Sequence, residues 1–361
     1  MPSKTASKSH PSATERGHQA MSPWRIPPAG WKEIVGRTWR QTWIDNVGLV
    51  AAGVAFYGFL AIVPLLGLIV LIYGLVAEPQ TVVSNMHTLT DILPDNVARF
   101  IGEQLIAAVE AAKETKGLGI LVALAFAFYG GSNGAGAIIT ALNIAYQEKE
   151  KRTLTRFYLV ALVMTLAAVV FAVLALTATA AIAYLEEYFP KASGFTVAAS
   201  KAIAYVALLL IAAGIAATLY RYAPSRENAR WEWITPGSMF TAITWMLLTL
   251  AFGYYVTSVA DYNATYGSLG AVIALLTWMY LSAYVFVIGA ELNSEIEHQT
   301  AKDSTTGTPE PLGKRGAWAA DNVAADVGAE KQVKKANKDA PSIGDAGPPV
   351  PTDDPDPSRC D

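Results

Sequence analysis

Six apolar runs lie between residues 47 and 292, each at least as long as the roughly 20 residues that a helix needs to cross a bilayer core. They cover approximately 47–77, 118–146, 157–185, 202–222, 237–260 and 267–292. Runs of this length leave little choice of fold, because a chain in lipid must satisfy its own backbone N–H and C=O groups, which a helix does within one segment. The pattern predicts an all-α polytopic membrane protein with about six transmembrane helices. Composition agrees: 53% of residues are apolar and 16% charged, against about 25% charged in soluble proteins.

The flanks read differently. Residues 1–30 scatter Pro, Ser and charge without period, as a disordered cytoplasmic head would. No apolar stretch of signal-peptide type precedes the first run, so that run is expected to act as its own insertion signal. From residue 31, Trp31, Val35, Trp39 and Trp43 recur at steps of four while Lys32, Arg37 and Arg40 fall off that stripe. This is the signature of an amphipathic helix lying in the membrane interface, aromatic side down. The membrane domain spans 31–297, and 298–361, rich in Thr, Lys, Asp, Gly and Pro, is predicted to be a disordered cytoplasmic tail in which only a transient helix around Trp318 is expected.

Orientation follows from Lys and Arg. Seven precede the first run (Lys4, Lys8, Arg16, Arg25, Lys32, Arg37 and Arg40), four separate the second from the third (Lys149, Lys151, Arg152 and Arg156), and Arg221, Arg226 and Arg230 surround the gap after the fourth. The opposite side holds fewer, so the positive-inside rule places both termini in the cytoplasm. The long outer loop, 78–117, carries Val97, Ile101, Leu105, Ala108 and Ala112 at helical spacing and is expected to form short outer-surface helices, as a cap or as a hairpin packed on the bundle.

Several enzyme classes lack their residues here. The four histidines, His10, His18, His87 and His298, are dispersed, and the lone cysteine, Cys360, lies at the end of the tail, so no metal centre or thiol nucleophile is expected and no cofactor is called for. A net charge of -3 gives no basis for a nucleic-acid partner. Membrane lipids are the expected partners, with a second copy or envelope proteins as further ones.

Polar residues within the runs are the candidate functional positions. Pro64 interrupts the first run and marks either a static kink or a hinge. Gly130 and Gly134 form a small-residue pair that lets another helix approach, and Asn133 beside them is a pathway candidate or an interhelical hydrogen-bonding group. Asn143 carries the same two readings. In the last run, Thr277, Tyr280, Tyr284, Val287 and Glu291 fall along one stripe that should face into the bundle. Arg221, Arg226 or Arg230 would partner Glu291, forming either a structural salt bridge or a gate.

An ordered set of segments then carries a family resemblance: AFYGFLAIVP at 55–64, ALNIAY at 141–146, LYRYAP at 219–224, Trp233, Pro236-Gly237, TYGSLG at 265–270 and TWMYLSAYVFVIGAELN at 277–293. Together these resemble the YihY/BrkB family of bacterial inner-membrane proteins over about residues 31–297. Ala61 departs from the pattern, which more often has serine three residues before the proline. The resemblance implies a six-span protein, a label of virulence or serum-resistance factor, and an older label of ribonuclease BN for which the residues of this chain supply no chemistry. The functional expectation is a transporter or lipid translocase, the alternative a membrane scaffold or envelope-assembly partner.

Overall fold

The computed structural model describes residues 16–73, 103, 118–170, 194–258 and 269–324. Its long helices are α1 (Pro28–Ile44), α2 (Val47–Tyr73), α3 (Leu118–Ala145), α4 (Leu154–Val170), α5 (Gly194–Tyr222), α6 (Trp231–Ser258) and α7 (Gly270–His298), followed by the single turn α8 (Trp318–Asp321). Each of α2 to α7 falls on one of the six apolar runs. By length and composition α6 and α7 can each cross a membrane, α1 with the start of α2 forms a bent pair at 65° that would make a third span, and Leu154–Val170 and Val206–Tyr222 are shorter apolar helices. The expected outer-loop helices lie outside the described residues apart from Glu103, as do the second half of the third run and most of the link between the fifth and sixth.

Small residues set how closely the helices pack. Gly130 faces the ring of Pro64 and Gly134 faces Ala61 and the Tyr57 carbonyl, so α3 lies against the proline-containing part of α2, through which the helix continues. A methyl at Gly130 would come within 2.9 Å of the Pro64 ring and one at Gly134 within 3.2 Å of Ala61, which is the close approach expected of this pair. On the other side of the bundle, Gly237 and Gly289 bring the backbones of α6 and α7 together. Farther along that interface Trp245 Nε1 donates to Ser282 Oγ at 3.2 Å and Trp278 Nε1 to Thr249 Oγ1 at 3.3 Å. Tyr280 and Tyr284 pack over Gly48, and Met279 reaches Gly58, so the α7 stripe faces α2 in antiparallel register.

Leu49, Leu60, Leu159, Val163, Leu210, Leu247 and Leu250 are all exposed, whereas Arg37, Glu291, Glu295 and Glu297 are buried. An apolar exterior around buried charge suits a lipid environment rather than water. On α1 the indoles of Trp39 and Trp43 are exposed and meet edge to face. Its opposite side, with Ile34, Arg37, Thr38 and Thr42, is buried against the end of α7.

Two expectations are corrected. Within the segments read as disordered, residues 16–26 and 299–324 are packed against the α7 end of the bundle: Arg16, Ala20, Ile26, Gln299, Thr300, Ser304, Arg315 and Ala319 are buried. Backbone bonds tie them down, from Ala301 to His18, Arg230 to Ser304, Thr306 to Asn228 and Ala324 to His298. Composition missed this because these segments build no core of their own; they satisfy their polar backbone on helix ends and loops that lie far away in sequence. Arg37, read as part of the polar face of an interfacial helix, is instead buried and paired with Glu295. Its partner lies 258 residues along the chain, beyond any local pattern.

Candidate functional site: the buried charged end of α7

The last turns of α7 read ELNSEIE, and Glu291, Asn293, Glu295 and Glu297 are all buried. A helix so apolar along its length can carry acids here only if other elements supply donors. For two of the three carboxylates they do. Arg37 of α1 donates from Nε to Glu295 Oε2 at 2.6 Å and from Nη2 to Gln299 Oε1 at 2.7 Å. From the α5–α6 loop, Arg226 Nη2 donates to Glu297 Oε2 at 2.6 Å, and the Ser304 hydroxyl donates to the same oxygen at 2.8 Å. Burial works against the Arg226 charge, but Glu297 outweighs it and raises the guanidinium pKa. The Arg226 guanidinium also sits 4.8 Å above the Tyr146 ring at the end of α3.

Glu291 differs. It is fully buried, neither carboxylate oxygen has a hydrogen-bond partner, and none of the three expected arginines pairs with it. Arg226 is taken by Glu297, Arg230 Nε donates to the Thr305 carbonyl at 3.0 Å, and Arg221 lies 4.6 Å from the Trp231 ring and 5.3 Å from that of Tyr222. The salt bridge expected between the fourth and sixth runs is absent among the described residues. The reason is position: Glu297, not Glu291, lies level with the loop that carries Arg226. What faces Glu291 is another carboxyl, Asp45 at the C-cap of α1, close enough to bond to it if one of the two carries a proton.

The remaining predicted positions separate by role. Tyr280 and Tyr284, 6.1 Å apart between ring centroids, form with Glu291 the face of α7 turned to α2. Asn143 is engaged structurally: its Nδ2 donates to Glu150 Oε2 at 2.9 Å and its Oδ1 accepts from the Ser225 amide at 2.7 Å, tying the α3–α4 loop to the α5–α6 loop. Asn133 is half-buried on α3, between the two glycines that contact α2 and apart from the α7 cluster. Pro64 belongs to the same α2–α3 contact.

Sequence reasoning missed Tyr146, Arg37, Asn293, Glu295 and Glu297. Asn293 Oδ1 accepts from the Gly237 amide at 2.8 Å, where Pro236 breaks the helical ladder. Tyr220 OH donates to the Phe286 carbonyl and lies 2.7 Å from Thr241 Oγ1. The available signal was the acid spacing itself, since Glu295 follows Glu291 by one turn. A cavity of about 420 Å³ opens beside the cluster, lined in part by Lys151, Arg152, Tyr222, Ser225 and Arg226. No group of three or more metal-ligating side chains occurs among the described residues.

Comparison with known proteins adds a family. The family model described as virulence factor BrkB matches residues 38–312. A Bacillus subtilis protein named as ribonuclease-like is 32% identical over 179 residues, 49% of this chain and 63% of its own length. A UPF0761 membrane protein of Pseudoalteromonas translucida is 25% identical over 300 residues, covering 78% of this chain and 90% of the relative. Another UPF0761 membrane protein, from Paraburkholderia xenovorans, is 27% identical over 257 residues, 70% of this chain and 57% of the relative. The chain thus spans less than two thirds of the Bacillus and Paraburkholderia proteins. No solved structure matches.

Proposed function

We propose, from the premise that this chain belongs to the virulence factor BrkB family, that it is a six-span inner-membrane transporter or lipid translocase with both termini in the cytoplasm. The observation that carries this reading is the face of α7 on which Tyr280, Tyr284 and the unpaired Glu291 turn toward α2. A protein built only to hold its helices together gains nothing from a buried acid without a donor, whereas a polar face inside an apolar bundle is what a route for a polar group requires. The ribonuclease-like name belongs to the Bacillus relative and is not carried over to this chain; transport is inferred from the α7 face instead. The exposed indoles of α1 fit the interfacial position proposed for that helix.

The test is lipid movement in liposomes containing the purified protein, compared with Glu291→Ala and with protein-free vesicles. Movement above the protein-free rate that falls in a folded variant supports the translocase. A protein that moves neither lipids nor small solutes is instead a scaffold, and deletion of 325–361 then becomes the informative cut. That deletion spares 299–324, which are built into the bundle.

A further inference from the structure

A carboxylate that accepts no hydrogen bond from the protein and has no surface open to solvent is unstable as an anion, and Glu291 meets both conditions. The titratable and charged groups around it are Asp45 from α1, Tyr146 from the end of α3, and Glu295 one turn along its own helix. All are acids. The nearby cations do not relieve the site, since Arg37 and Arg226 each lie 2.6 Å from another carboxylate.

Asp45 is placed to share what Glu291 lacks. Its Oδ2 accepts from Gln41 Nε2 and from Gln147 Nε2, each at 2.9 Å, so two neutral amides fix one of its oxygens. Two facing carboxyls are both acceptors, and only a proton between them makes the contact attractive. Asp45 is half-buried at the corner between α1 and α2, whereas Glu291 lies fully buried behind it.

We propose that Asp45 and Glu291 form a proton-binding site: one proton is held between the two carboxyls, Glu291 being the buried carrier and Asp45 the port to the aqueous side. On release the proton passes from the Glu291 carboxyl to Asp45 and then to water, leaving two like charges between the α1–α2 corner and the end of α7. The repulsion favours separation of those elements, so the site links proton occupancy to the opening of this end of the bundle. The site does not depend on what cargo moves, and it stands even if no lipid is translocated.

Infrared spectroscopy of the full-length protein in lipid nanodiscs tests it. The native protein at neutral pH is expected to show a protonated-carboxyl C=O stretch that shifts in D₂O, and Glu291→Gln to lose it. Raising the pH should remove the band and, with it, the hydrogen-exchange protection of the α1–α2 corner. In Asp45→Asn, an amide donor replaces the facing acid, so the band should disappear at lower pH than in the native protein. A native spectrum without the band, or one unchanged in Glu291→Gln, overturns the site. Loss of the band at the same pH in Asp45→Asn overturns the pairing.

Discussion

Glu291 and Glu297 occupy the same end of the same helix, and both are fully buried. Glu297 is held by Arg226 and Ser304; Glu291 faces an acid. The contrast separates two uses of buried charge. Where a donor is built in, the desolvated carboxylate ties loop, helix and C-terminal segment into one unit. Where none is, the group keeps the means to gain or lose a proton, and that is the usual mark of a working position rather than a bracing one.

The sharpest way to break this comparison is to remove the donor from the paired side. Arg226→Ala leaves Glu297 buried without its cation and also strips the guanidinium from the Tyr146 ring, so a loss of about 3–5 kcal/mol is expected. Glu291→Gln keeps the shape of its side chain, offers an amide N–H in place of the proposed carboxyl proton, and should stay within about 1 kcal/mol of the native protein. Unfolding of the two variants in detergent reads the difference. If Glu291→Gln destabilises as much as Arg226→Ala, Glu291 is a bracing residue and the distinction fails.

Next in size is the backbone contact that brings α6 and α7 to this end. A side chain at Gly289 would meet Thr241 Oγ1, with the Tyr220 hydroxyl at 2.7 Å and the Gly237 carbonyl at 2.9 Å. Gly289→Val is therefore expected to cost about 1–3 kcal/mol through overpacking. Gly53→Ala, where nothing lies within 4 Å of the new methyl, should be neutral or stabilise helix α2 slightly. Equal effects at the two glycines in the same unfolding assay would show that helix propensity rather than close packing dominates.

These residues also show what the sequence made legible. The helices were readable because a long apolar run has one solution in lipid, and the stripe from Tyr280 to Glu291 because helical period is local. Pairing was not: Arg37 and Glu295 are 258 positions apart, and Arg226 and Glu297 are 71 apart. Proximity along the chain pointed Glu291 to an arginine, whereas the corner at Asp45 places an acid there instead. The packing of 299–324 was hidden for a related reason, since much of it is held by backbone carbonyls and amides that carry no residue signature, and its side-chain partners Arg37 and Glu148 lie far away in sequence.

That C-terminal segment supplies a smaller test. Trp318 donates its amide to Glu148 Oε1 at 2.6 Å, and its ring lies 5.0 Å from that of His298. Glu148→Gln retains an oxygen acceptor but removes the charge, and should weaken this anchor by about 1 kcal/mol. Hydrogen exchange is expected to rise across 299–324 while α6 and α7 keep their protection. A rise that extends into α7 would mean that the Glu148 anchor holds the charged end itself and not the segment alone.

The smallest expected effect lies on the outside of the same region, at Glu150. Burial opposes ionisation there, but hydrogen bonds from the Arg152 side chain and amide and from Asn143, with the Arg152 charge, together outweigh it and bring its pKa down to about 2. A lowered carboxylate pKa contributes stability that is present above the ordinary carboxylate range and lost as the pH falls toward about 2. Because Glu150 is exposed, solvent screens the gain. Glu150→Gln should therefore flatten only a slight acid limb in the stability profile of the α3–α4 loop, read by hydrogen exchange at Ser225. The proton proposed for Glu291 acts in the opposite direction, its contribution being present at low pH and lost as the pH rises. One pH series on the two variants thus separates a paired surface acid from an unpaired buried one by the sign of the change alone.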